Sequence, residues 1–276
     1  MPLRSTGSTL TEHFTYAGKG VDTTSRDLPG LKASFIVGHV HDGLVLLDVG
    51  CGGGKMLRTI KDHHADVVLL GCDVTEPPGI DHAFEFSPVD AATGELPYAD
   101  ASIDIALVFD VLEHVAQPET MLSEISRVLK PNGRLLAFVP IEGEPISWYR
   151  LFRLILGKDL YVKTKGHVQA FTHNGLAKML DVGFEVDERR FAYHPVGQLM
   201  DAALCAGLSV DWIKKAFWEH SPYHGASTDQ RTTSLLGRVV ATVLRLANNV
   251  AWVESTMLGR VRTGSAGELI VARPRR

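Results

Sequence analysis

The sequence predicts an α/β protein built on a doubly wound, mostly parallel sheet. Three observations carry that expectation. Short apolar runs alternate with helical patterns from about residue 31 to residue 139. The first run, Val45-Leu46-Leu47-Asp48-Val49, ends in a glycine turn at Gly50, Gly52 and Gly54, and a helix pattern follows directly. Acids recur at or just beyond the ends of the next runs, at Asp73, Asp90 and Asp110. A strand, a glycine turn and a helix together make the crevice in which parallel sheets hold nucleotide-like ligands at their carboxyl ends.

A helix is expected from about Leu31 to His41. Lys55 to His63 reads as the helix after the glycine turn, with Met56, Leu57 and Ile60 on one side. Val67 to Cys72 is the second strand and Phe84 to Val89 the third. Ile105 to Phe109 is the fourth. Arg127 to Arg134 closes a helix through a Pro-Asn-Gly turn, and Leu135 to Val139 is the fifth strand. Thr172 is placed to cap a helix over the following residues. Glu185 to Tyr193 and Gly267 to Arg273 supply two more strands, seven in all. The long interval between these two reads as helices at Val196 to Ala206, Val210 to Trp218 and about Thr232 to Val261.

The glycine turn is not a dinucleotide fingerprint, because Lys55 occupies the place of its third glycine. It is not a phosphate-binding G-x-x-x-x-G-K-[ST] loop either, because Met56 follows Lys55. The string D-x-G-x-G-x-G resembles the first motif of class I S-adenosylmethionine-dependent methyltransferases. Glu95-Leu96-Pro97-Tyr98-Ala99-Asp100-Ala101-Ser102-Ile103-Asp104 is similar to that family's "LPF-x-D-x-SFD" stretch. Leu112-Glu113-His114-Val115 resembles the "LEHV" string of its small-molecule, UbiE-like branch. The likeness is dense from Leu44 to Pro140. It implies a Rossmann-like methyltransferase fold whose seventh strand is antiparallel beside the sixth. It implies S-adenosylmethionine as cofactor, held by Asp48, Gly50, Cys51 and Gly52 at the first turn. Asp73 with Val74 would hold the ribose, Asp90 with Ala91 the adenine, and Phe109 or Asp110 would sit beside the methionine amine.

Methyl transfer from a sulfonium is an in-line displacement, so alignment matters most and some acceptors must also lose a proton. His114 and His167 are the candidate bases, each with a structural alternative: orienting the loop for His114, capping a helix for His167. His194 beside Pro195 reads as a turn residue. The histidines and cysteines show no ligand-like spacing, so no metal is expected, and no G-x-S-x-G elbow supports a hydrolase.

The net charge of −4 argues against nucleic acid, although residues 221–276 alone carry eight arginines against three acids. Three scattered cysteines suit a reducing cytoplasm, and no membrane-spanning run is visible. Residues 1–30 are expected to form a lid or loose segment. Residues 31–194 with 266–276 would form the cofactor-binding domain, and 195–265 a helical insertion acting as cap, dimer element or membrane-surface element. The aromatic, aliphatic and arginine mixture of Pro145 to Leu156 forms another insertion. The expected activity is methylation of a small-molecule, lipid-like or lipid-linked acceptor at a hydroxyl. Carbon methylation of a quinone or isoprenoid, a nicotinamide-dependent oxidoreductase and a non-catalytic S-adenosylmethionine-binding scaffold are the alternatives.

Overall fold

The computed structural model describes residues 20–76, 83–90, 93–156, 166–200 and 235–275. The elements run α1 (Leu28–Val37), β1 (Val45–Val49), α2 (Lys55–His63), β2 (Val68–Asp73), β3 (Glu85–Pro88), β4 (Ile103–Phe109), a short 3₁₀ turn (Leu112–His114), α3 (Pro118–Val128), β5 (Leu129–Pro140), α4 (Trp148–Leu156), α5 (His173–Asp181), β6 (Phe184–Ala192), α6 (Leu235–Met257) and β7 (Gly267–Pro274). Residues 195–200 are also helical.

The strands form one seven-stranded sheet in the order β3-β2-β1-β4-β5-β7-β6. Strands β1 to β5 are mutually parallel, and β7 runs antiparallel to both β5 and β6. Both faces of the sheet are covered, so apolar residues occupy consecutive strand positions and sort to opposite faces by the two-residue period. Leu46, Ile105, Leu107 and Leu136 pack with Phe35 and Ile36 of α1 and Leu57 and Ile60 of α2. Their neighbours Leu47, Ala106, Val108 and Leu135 pack with Leu122 and Ile125 of α3 and Leu176 and Leu180 of α5. The order of strands reverses between β1 and β4, and this switch point opens the crevice where such sheets take ligands.

Several boundaries differ from the sequence expectation. Helix α1 starts three residues earlier, because the Asp27 side chain accepts from the Gly30 amide and Pro29 occupies the first turn. It stops at Gly38 rather than continuing to His41. Lys130 to Gly133 do not form a turn separate from the strand. They lie inside β5 as an irregular extended segment, with Ile103 facing Leu129 but Ile105 facing Arg134. Helix α2 matches its expected span, and Thr172 caps α5 by accepting from the Gly175 amide. The last long helix is described over Leu235–Met257 and ends before the expected Val261, while its expected start at Thr232 lies outside the described residues. Residues 1–19 of the N-terminal segment, Ala91, the predicted helix Val210 to Trp218 and the end of the one beginning at Val196 lie outside the described residues.

Candidate active site

The glycine turn is forced by its surroundings. Gly50 and Gly54 have φ of 74° and 71°. A Cβ on Gly50 would stand 2.6 Å from Val111 Cγ2, and one on Gly54 would stand 2.1 Å from the Phe84 ring. The turn therefore folds tightly over β4 and β3 and presents bare backbone. The Gly52 amide donates to Asp73 Oδ2 at 2.9 Å, and the Val74 amide donates to Asp73 Oδ1 at 2.7 Å. Asp73 thus ties the end of β2 to the glycine turn of β1.

Asp48 is buried beneath this turn. Burial first, then the nearby Asp73 charge, pushes its carboxyl up to about 7. Cys51 and Cys72 are buried free thiols. Burial raises both, Cys72 to about 12, so neither is a thiolate nucleophile near neutral pH. Val74 and Asp90 are exposed at the ends of β2 and β3. Phe109 is half-buried at the end of β4. Asp110 follows with φ of 56°, its amide donating to the Phe138 carbonyl at 3.1 Å.

Lys32 is a residue that sequence reasoning missed. It reaches from α1 to form an ion pair with Asp110, and its ammonium lies 3.7 Å from the centre of the Phe138 ring. Nothing in the local pattern of α1 marks a lysine that is buried at a ligand crevice; only the packing of α1 beside β4 and β5 reveals it.

The two candidate bases come together across 53 positions of sequence. The Glu113 carbonyl accepts from the Val168 and Gln169 amides at 2.9 and 3.0 Å, which clips the segment before α5 onto the turn after β4. The His114 and His167 rings then meet edge to face, with centroids 4.9 Å apart. His114 Nδ1–H donates to the Gly166 carbonyl at 3.1 Å, so in the neutral ring Nε2 carries the lone pair. Burial, and next the His167 charge, holds His114 below its ordinary pKa. His167 Nδ1 lies 3.1 Å from Glu142 Oε2, and its Nε2 lies 3.9 Å from Glu113 Oε1. Burial, reinforced by the Asp110 charge, holds the Glu113 carboxyl well above its usual range. His194 sits apart, donating from Nε2 to the Val261 carbonyl at 2.8 Å.

Glu142, and the carboxyl of Glu113, are further members that the motif did not announce. Glu113, His114 and His167 each offer a ligand atom within 4.8 Å of the others, a grouping compatible with a metal ion. Sequence spacing gave no sign of it, because His167 arrives from a distant segment. Among the described residues no helix is long and apolar enough to cross a membrane.

The donor set at the switch point fits a cationic nucleoside. Asp48, Asp73, Asp90 and Asp110 stand at the carboxyl ends of β1 to β4, which suits hydroxyls, an ammonium and a sulfonium and opposes a pyrophosphate. Replacing Asp73 with alanine is expected to weaken S-adenosylmethionine binding by about 1–3 kcal/mol, the scale of a lost charge-assisted hydrogen bond. Titration calorimetry measures this directly, and an unchanged affinity would remove Asp73 from the cofactor site.

Comparison with known proteins agrees. Residues 47–137 match a family model described as a methyltransferase domain. A probable S-adenosylmethionine-dependent methyltransferase of Mycolicibacterium smegmatis is 30% identical over 165 residues, covering 58% of this chain and 59% of the relative. A ubiquinone biosynthesis O-methyltransferase of Brucella anthropi is 35% identical over 127 residues, covering 44% and 50%. The matches thus span about half the length of these curated relatives. Among solved structures, the [4+2]-cyclase SpnF aligns over 89% of this chain and 80% of its own, with a TM-score of 0.55 at 20% identity. The MccD protein aligns over 91% and 100%, with a TM-score of 0.54 at 14% identity. At such identities these structures speak for the fold alone. The glycine turn and the strand order thus accompany a similarity to a methyltransferase domain over residues 47–137, and the relatives that share it include a probable S-adenosylmethionine-dependent methyltransferase.

Proposed function

We propose that the protein transfers the methyl group of S-adenosylmethionine to a hydroxyl on a small, lipid-like or lipid-linked acceptor. The observation that carries this reading is the glycine turn tied to Asp73 beside the paired histidines at the end of β4. Bound S-adenosylmethionine supplies a methyl already activated by its positive sulfur. Asp48 braces the turn, and Gly50, Cys51 and Gly52 offer it backbone contacts. Asp73 and Val74 take the ribose, Asp90 and Ala91 the adenine, and Phe109 and Asp110 the methionine end. His114 accepts the hydroxyl proton at Nε2, the atom left basic by its Nδ1–H bond to Gly166. His167, near Glu142, shapes the other wall and is the second candidate base.

A lipid-like acceptor is supported by α4, which follows β5 from the carboxyl end of the sheet. Leu151, Leu154 and Ile155 are exposed there beside Arg150, and Lys158, Lys163 and Lys165 follow in sequence. An apolar helix edge flanked by cations suits a bilayer surface or an anionic lipid headgroup. The protein would work in the cytoplasm, peripheral to the membrane, with residues 1–30 closing over the cofactor. Residues 195–265 would be an insertion that contacts either a membrane or a second copy. The O-methyltransferase relative favours oxygen over carbon as the acceptor atom.

The test is S-adenosylhomocysteine formation across a panel of phenols, quinols and lipid-linked alcohols. Turnover with a hydroxyl acceptor is expected, and His114→Ala should lower kcat by about 10²–10⁴-fold, the usual worth of a general base. Because His114 sits below its ordinary pKa, the acid limb of the rate profile should level off below the usual histidine range. Binding of S-adenosylmethionine without turnover of any acceptor would favour a scaffold, or a reaction such as cyclisation, since one fold hosts many chemistries.

A further inference from the structure

Helix α6 carries an apolar seam of coiled-coil spacing, and from Leu246 onward that seam is turned away from its own domain. Leu236, Val239, Val243, Leu246, Val250, Val253 and Met257 are separated by three and four residues in strict alternation, which fills every a and d position of three heptads. Four of these side chains are open to solvent: Leu246 at 62%, Val250 at 52%, Val253 at 42% and Met257 at 79%. The opposite face is the one docked on the domain. Ser255 is buried and its Oγ accepts from the Tyr193 amide at 3.1 Å. Glu254 accepts from the Val196 and Gly197 amides at 3.1 and 3.0 Å, and Trp252 lies under the Arg26 guanidinium.

We propose that this seam pairs with the same seam of a second copy, making the protein a homodimer through α6. Spacing that alternates three and four residues serves knobs-into-holes packing between helices, and a bilayer surface does not require it. The charge pattern favours a second copy over anionic lipid. The g positions beside the seam are Thr242, Asn249 and Thr256, and the e positions are Val240, Ala247 and Glu254. Glu254 is already held by two amides, so like charges do not oppose self-pairing. Arg238 and Arg245 lie about 130° around the helix from the seam, too far to reach headgroups when the seam faces a bilayer.

An antiparallel pair centred on Asn248 sets Val250 against Leu246 of the second copy, and Leu246 against its Val250. It sends the two domains to opposite ends. Such a seam is about 27 Å long and about 10 Å wide. That is well below the roughly 800 Å² per partner of a standard complex, even with Val196 and Leu199 exposed beside its end. The dimer is therefore expected to form reversibly in the micromolar range.

Sedimentation velocity of the full chain tests this. The natural protein should shift from monomer toward dimer as its concentration rises through the micromolar range. Leu246→Glu with Val250→Glu should stay monomeric with an unchanged far-ultraviolet spectrum. Mixing it with Leu246→Lys plus Val250→Lys should restore the dimer, an outcome that misfolding cannot produce. A natural chain that stays monomeric, or a dimer that survives the glutamate pair, overturns the proposal. So does a monomer whose seam binds phosphatidylglycerol vesicles and loses them on the same substitutions. None of these outcomes depends on methyl transfer.

Discussion

Asp48→Asn is expected to stabilise the protein increasingly as pH rises from about 4 to 7, and by a constant amount above that. The Asp48 carboxyl titrates near 7 in the folded chain, against an ordinary value of 3.8. Below the ordinary value both states hold the proton, so ionisation contributes nothing. Between the two values the unfolded chain releases it while the folded chain keeps it, and stability falls as pH rises. Above about 7 the full difference, about 4 kcal/mol, weighs against the fold. Asparagine cannot ionise and escapes this loss. The gap in melting temperature between variant and natural protein should widen by about 10 °C from pH 4.5 to 7.5. A gap that does not change with pH would show that Asp48 is not buried next to Asp73.

Gly54→Ala should cost more than the backbone alone explains. Gly54 has φ of 71°, where a Cβ costs about 1–2 kcal/mol. The new methyl would also meet the Phe84 ring at 2.1 Å, and overpacking of that kind adds about 1–3 kcal/mol. Gly43 supplies the internal control. Its φ of 82° is equally left-handed, but nothing stands within 4 Å of its Cβ position. Urea denaturation of both variants separates backbone strain from collision. Equal losses would mean that Phe84 does not close over the glycine turn. A larger loss at Gly54 should also weaken cofactor binding, because Gly54 starts α2 and fixes the path of the turn.

These two residues also mark what could be read in the sequence. Gly54 was conspicuous, because a strand, a glycine turn and a helix are contiguous and their geometry is local. The same locality made α2 legible to its ends. It failed at α1, where Asp27 and Pro29 outweighed the apolar pattern, and at β5, where a Pro-Asn-Gly string that reads as a turn is drawn into an extended edge beside β4. The acids at Asp73, Asp90 and Asp110 were visible as strand-end residues. That Asp73 binds the Gly52 amide, or that Lys32 pairs with Asp110, depends on neighbours 21 and 78 positions away.

By itself the sequence determined the doubly wound sheet and the glycine turn, because each rests on periodicity or on residues adjacent in the chain, and its motifs carried the resemblance that implies the cofactor class. Only the tertiary structure decided that His114 and His167 form one cluster with Glu113 and Glu142, and which nitrogen of His114 is left basic. It alone decided that Leu246, Val250, Val253 and Met257 of α6 face outward. The reason is physical. Hydrophobic spacing says that a face must be covered, and a histidine says that a proton can move. Which surface does the covering, and which groups meet the proton, is set by contacts that close long loops of chain.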